Sequence, residues 1–163
     1  HPYFARSSPK TTGREEFGDA YFRAVLDQAR GFGATAEETI ATLTACTACT
    51  IADAIPPSIR RVIVSGGGAF NDTMIALLTS ALCERSASPP VVSLSGEFGI
   101  PPDAKEALAF AVLAFQTVFG RFGNAPAATS AARPVILGKI VPGENFSALL
   151  RRAAPVAPSH QVD

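Results

Sequence analysis

The 163 residues predict an α/β chain with a small, mainly parallel sheet flanked by helices. Three observations lead there. Apolar residues recur at helical spacing in several long segments. Short β-branched runs such as Val62-Ile63-Val64 alternate with those segments. One run ends in Gly66-Gly67-Gly68 ahead of a helix-capping Asn71 or Asp72. Strands separated by helices pair in parallel, because a helical crossover brings the chain back in its starting direction.

Residues 1–16 read as a connector with a basic loop, 17–151 as one α/β lobe and 152–163 as a tail rich in Ala, Pro and polar residues. In the basic run Lys10-Thr11-Thr12-Gly13-Arg14, Lys10 is a point charge and Arg14 a planar fork, a pair suited to an anion or to a solvated loop. Phe17, Tyr21, Ala24, Val25 and Gln28 predict a first helix to about Arg30, ended by Gly31-Phe32-Gly33. Thr35-Ala36-Glu37-Glu38 has the form of a capping box, and Ile40, Leu43, Thr47, Ile51 and Ile55 predict the buried stripe of a second helix that Pro56-Pro57 stops. Threonines at 39, 42, 44, 47 and 50 are expected to face a close neighbour or bond back to helix carbonyls.

Val62 to Val64 is expected as a buried strand and Thr73 to Leu82 as a helix with Ile75, Leu78 and Leu82 on one face. Pro90 to Leu94 predicts a second strand. Gly99-Ile100-Pro101-Pro102-Asp103 opens a helix over Ala104 to Phe119, with Leu108, Val112, Phe115 and Phe119 as its buried stripe and Glu106 in its first turns. A loop over Gly120 to Arg133 leads to a third strand, Pro134 to Val141. Three strands make a small sheet, as expected of part of a larger protein.

Lys+Arg and Asp+Glu both number 14, scattered rather than clustered, which argues against nucleic acid as a partner. No apolar run approaches a membrane span and no secretory signal is evident, so a cytoplasmic location is expected. Cys46, Cys49 and Cys83 are then free thiols, with Cys46 and Cys49 expected as small buried residues of the second helix rather than a redox or metal pair. His1 and His160 are terminal, which leaves no interior histidine for a zinc site or a Ser-His-Asp triad, and no metal ligand is assigned. The strand, glycine turn and helix N-terminus at 62–72 form a phosphate cradle in outline. It is not a P-loop, since no Gly-Lys-Ser/Thr follows.

Four segments, Pro9-Lys10-Thr11-Thr12-Gly13-Arg14-Glu15, Gly66-Gly67-Gly68-Ala69-Phe70-Asn71, Glu106-Ala107-Leu108-Ala109-Phe110-Ala111 and Leu137-Gly138-Lys139-Ile140-Val141-Pro142-Gly143, resemble in order and spacing the C-terminal half of anhydro-N-acetylmuramic acid kinases. The resemblance implies part of the C-terminal lobe of the actin-like, RNase H-like ATPase fold. It further implies an enzyme that opens 1,6-anhydro-N-acetylmuramic acid with water and phosphorylates O6 from ATP, with Mg²⁺, in cell-wall sugar recycling. Gly66, Gly67, Gly68 and Asn71 would then lie on the nucleotide and Glu106 on the sugar, while Lys10 and Arg14 would touch ligand or brace the cleft. The family's N-terminal lobe, with its glycine-rich ATP loop and its Asp-Thr-Gly-Pro-Gly-Asn segment carrying the catalytic base, has no counterpart here. The implied partners are therefore ATP, an amino sugar, that lobe and, where the enzyme pairs, a second copy in a homodimer. The chain alone is expected to be inactive, and the alternatives are a non-catalytic nucleotide- or sugar-binding module or a degenerate fragment. Ser130 stands where the family more often has glycine, in the loop on the sugar side.

Overall fold

A computed structural model describes residues 1–7 and 9–153; the remainder of the expected tail lies outside the described residues. The chain divides into two compact units, His1–Glu106 and a second that begins at Ala107.

The first unit is an α/β layer. A 3-10 turn, Pro2–Ala5, precedes helices α1 (Arg14–Phe17), α2 (Asp19–Gly31) and α3 (Ala36–Ala54). Strand β1 (Arg61–Val64), helix α4 (Asp72–Arg85) and strand β2 (Val91–Leu94) follow. The strands pair in parallel, Arg61 opposite Val91 through Val64 opposite Leu94, with α4 as the crossover. The expected first helix is broken at Gly18, where a side chain would collide with the Arg14 carbonyl oxygen, 2.1 Å from an added Cβ.

The capping box forms as expected: Thr35 Oγ1 accepts from the Glu38 N–H (3.2 Å), and Glu38 Oε2 accepts from the Thr35 N–H (2.8 Å). The threonine hydroxyls bond back to helix carbonyls, Thr39 to Thr35, Thr42 to Glu38, Thr44 to Ile40, Thr47 to Leu43 and Thr50 to Thr47. The expected apolar stripe of α3, by contrast, is not the buried face. Ile40 is 65% exposed and Ile51 also faces outward, while Thr39, Ala48 and Ala52 are buried. Ala48 and Ala52 meet Leu78 and Leu82 of α4, so small residues on one helix admit large ones from the other. The register that puts Ala48 and Ala52 inward turns Cys46 and Cys49 out. Both are exposed free thiols, not the buried residues expected, and Cys83 is exposed as well.

Val62, Val64 and Val92 pack against this core. Strand β1 is covered on one face, and Ile63, expected to be buried, points the other way and is 53% exposed.

The second unit holds most of helix α5 (Lys105–Val118), a short helix α6 (Pro126–Thr129) and helix α7 (Phe146–Ala153). No residue of α5 is buried, so the expected stripe is only partly covered, with Leu108, Val112 and Phe115 all above 40% exposed. The expected third strand does not form. Gly138 has φ +90°, outside the strand region, and no neighbouring strand among the described residues offers a ladder. The segment is pinned instead by Asn124, whose Oδ1 accepts from the Val135 N–H (2.7 Å) and whose Nδ2 donates to the Arg133 carbonyl (3.1 Å). Thr117 Oγ1 lies against the Leu137 carbonyl, close enough that a side chain at 138 would crowd it. Ser130 closes α6 at φ +60°, left-handed, and its N–H donates to the Pro126 carbonyl (2.9 Å). Glycine would take that conformation without strain, whereas Ser130 holds it at a cost.

Urea unfolding of the 163-residue chain is expected to rank three substitutions. Leu78→Ala costs about 2–5 kcal/mol by leaving a cavity in the buried core. Thr35→Ala costs about 1 kcal/mol by removing the helix cap. Ile40→Ala stays within about 0.5 kcal/mol, and a larger loss there would mean that the solvent side of α3 is covered.

Candidate functional site

The glycine turn begins where β1 ends. Gly66 has φ +84° and ψ −175°, a region open in practice to glycine alone. Gly67–Phe70 then forms a 3-10 turn in which the Ala69 N–H donates to the Gly66 carbonyl (3.0 Å) and the Asn71 N–H to the Gly68 carbonyl (3.1 Å). Asn71 caps α4, its Oδ1 accepting from the Met74 N–H (3.0 Å), so the oxygen of this expected nucleotide ligand is already engaged.

The backbone donors fall into two groups. The Gly66 N–H donates to the Pro102 carbonyl at 2.8 Å. The N–H groups of Gly67 and Gly68 have no hydrogen-bond partner among the described residues. Gly67 is exposed, and a Cβ added there would meet nothing within 4 Å, whereas one added at Gly68 would meet the tip of Met74 at 2.5 Å. Two adjacent unpartnered donors, one of them on an exposed residue, suit a phosphate oxygen. Asp72, in the first turn of α4, already complements the helix dipole.

A second loop flanks this turn. After β2 the chain enters a 3-10 turn, Ser95–Phe98, secured by the Leu94 N–H donating to Glu97 Oε1 (2.8 Å). A further 3-10 turn, Pro102–Ala104, leads directly into α5. The Gly66–Pro102 hydrogen bond therefore brings the start of α5 to the glycine turn. Glu106 follows Pro102 by four residues, about 6 Å along a helix, and is exposed. Both strands end at this edge, the place where open parallel sheets bind ligands. Ser95 belongs to no sequence motif, yet it is buried here with its Oγ unpartnered among the described residues. Its signal was positional, one residue beyond the carboxyl end of a parallel strand.

Lys10 and Arg14 are placed differently. Lys10 Nζ donates to the carbonyls of Phe4 (3.1 Å) and Tyr3 (3.3 Å) and lies 4.8 Å from the centre of the Tyr3 ring, closing the N-terminal 3-10 turn. Arg14 opens α1 and is exposed. No hydrogen bond among the described residues links either one to the glycine turn. Among the described residues no three His, Cys, Asp or Glu side chains gather as a metal site, and no helix is long and apolar enough to cross a membrane.

A parallel α/β unit with a glycine turn and, among the described residues, unpartnered N–H groups at its strand end has the outline that α/β proteins use to hold phosphate. The sequence model of the anhydro-N-acetylmuramic acid kinase family matches residues 1–143, and the chain belongs to that family. It is 44% identical over 155 residues to the anhydro-N-acetylmuramic acid kinase of Streptomyces avermitilis, covering 93% of this chain and 38% of that protein. The kinase of Salinibacter ruber is 40% identical over 148 residues, 86% of this chain and 36% of that protein. That of Rhodococcus erythropolis is 41% identical over 144 residues, 87% of this chain and 34% of that protein. The chain thus spans little more than a third of the length of these curated relatives. The family is one of kinase enzymes, and a sugar-kinase-like α/β fold is what it implies.

The three glycines are expected to differ in stability effect. Gly66→Ala forces a side chain into a left-handed, extended backbone and costs about 1–3 kcal/mol. Gly67→Ala, with open space and no positive φ, stays within about 0.5 kcal/mol. Urea titrations of the two variants check the order, and equal losses would contradict the conformation at Gly66.

Proposed function

We propose that residues 17–151 are the C-terminal lobe of a longer cytoplasmic sugar kinase. It opens 1,6-anhydro-N-acetylmuramic acid with water and transfers phosphate from ATP to O6. Family membership supports the reaction, and the free N–H groups of Gly67 and Gly68 are the observation that supports the nucleotide side. Phosphoryl transfer relies on holding charged phosphates in fixed positions, and backbone N–H groups do so without a side chain that must reorganise. Asn71 offers its side-chain amide nitrogen beside them, since its oxygen is bound to α4.

Glu106, one helical turn beyond the residue tied to the glycine turn, is the group proposed to face the sugar, orienting it or assisting proton movement as its ring opens. Lys10 serves as a brace for the N-terminal turn, a role supported by its bonds to Tyr3 and Phe4. Arg14, which makes no side-chain hydrogen bond or ion pair among the described residues, is the cation of that loop proposed to serve the cleft. Mg²⁺ accompanies the triphosphate. Such an ion is held largely by phosphate oxygens and water with one or two carboxylates, and the catalytic base is proposed to belong to the other lobe.

Two measurements test this reading. The full-length polypeptide should transfer phosphate from ATP to the anhydro sugar, and Glu106→Gln should lower kcat by about 10²–10⁴-fold while leaving the fold intact. The 163-residue chain should bind ATP saturably without turnover, and Gly67→Val should abolish that binding. ATP binding by a full-length protein that transfers no phosphate would favour the non-catalytic module instead.

A further inference from the structure

Gly66 differs from its two neighbours in a way that the sequence does not show. All three glycines belong to one motif, yet the Gly66 N–H is used within the fold, on the Pro102 carbonyl at 2.8 Å, while the next two have no partner among the described residues. We propose that Gly66 is a positioning residue that fixes the start of α5, and with it Glu106, relative to the anion-binding N–H groups, and is not itself a phosphate contact. This rests on the nucleotide and sugar roles proposed above.

The backbone supplies the reason. Gly66 sits at φ +84° and ψ −175°. Rotation about its N–Cα bond turns the plane carrying its N–H relative to Gly67 and Gly68. With a side chain at 66 the chain leaves this region, so the bond to Pro102 and the direction of the two free donors cannot both be kept. Glycine allows both at once.

The far end of the link is stiff. Pro101 and Pro102 restrict their own backbones, and the Ala104 N–H donates to the Pro101 carbonyl (3.0 Å), closing the 3-10 turn that runs into α5. Gly96, after β2, lies alongside, with an added Cβ 3.9 Å from Pro102 Cδ. A stiff segment of five residues therefore joins the hydrogen bond to Glu106. Such a link holds the two substrates in register, and a displacement of about 1 Å at this distance can cost about 100-fold in rate.

Hydrogen exchange of the 163-residue chain without ligand is the first test. The Gly66 amide is expected to be protected, and Gly66→Ala should speed exchange at Ala104 and the first turn of α5 at least tenfold, leaving Leu78 and Leu82 unchanged. Solvent-rate exchange at Gly66, or no change at Ala104 in the variant, overturns the proposal. In the full-length enzyme Gly66→Ala should lower kcat about 100-fold with KM for ATP within about threefold, whereas Gly67→Ala should act mainly on KM for ATP. A rise in KM for ATP with kcat unchanged would make Gly66 a nucleotide contact and sink the idea. Should Gly66→Ala not fold, Pro102→Gly loosens the other end of the link and should give the same exchange pattern and the same loss in kcat. A full-length protein that transfers no phosphate would remove the kinase reading, while the exchange data would still decide whether Gly66 holds α5.

Discussion

The site depends on the contact between α3 and α4. Ala48 and Ala52 give α3 a flat face, and Leu78 and Leu82 of α4 fill it. That contact fixes α4, and α4 is the crossover that sets β1 and β2 side by side in parallel. With the two strands in register, both carboxyl ends fall at one edge, and the loops leaving them meet there. The glycine turn, the Ser95 loop and the start of α5 are thus brought together by packing against one face of the sheet. Enlarging Ala48 would separate the helices and shift the strand ends without touching a site residue.

Much of this was legible in the sequence. The capping box at Thr35, the proline stop at 56–57, both strands and the Asn71 cap follow from local chemistry, and local chemistry is what a sequence displays. Faces were harder to read. On α3 the larger residues, Ile40 and Ile51, form a periodic stripe, yet the buried positions are Thr39, Ala48 and Ala52. Periodicity identifies a helix, but the partner's shape decides which side it buries, and Leu78 and Leu82 require small residues opposite. The same choice exposes Cys46 and Cys49. Pro134 to Val141 failed for another reason: its composition suits a strand, but a strand is a pairing, and Gly138 turns out of it. At the site, the sequence pointed to three glycines without dividing their labour, because hydrogen-bond partners 36 residues apart leave no local pattern.

The exposed apolar side chains fit a protein that continues beyond this chain. Helix α5 is apolar around most of its circumference and buries no residue, whereas such helices in folded proteins are covered. Phe110, at 71% exposed, is its most extreme case. The relatives are more than twice as long as this chain, and in the proposed two-lobe kinase the remaining polypeptide supplies both the cover and the catalytic base. The missing surface and the missing chemistry then have one source.

The proposed anion site relies on backbone direction rather than net charge. The chain carries as many acids as bases, and the acid nearest the turn, Asp72, sits at the positive end of α4. A carboxylate there offsets the attraction of the helix N-terminus for a phosphate. What is left is the pair of free N–H groups at Gly67 and Gly68, whose orientation is set by the strand before them and by the bond from Gly66 to Pro102. Donors held in this way lose little freedom on binding and need no rearrangement as charge moves during transfer. Side chains are limited there on two counts, at Gly66 by its backbone angles and at Gly67 by the room a bound phosphate would need beside its N–H. The demand for glycine at those two positions thus has two separate physical causes.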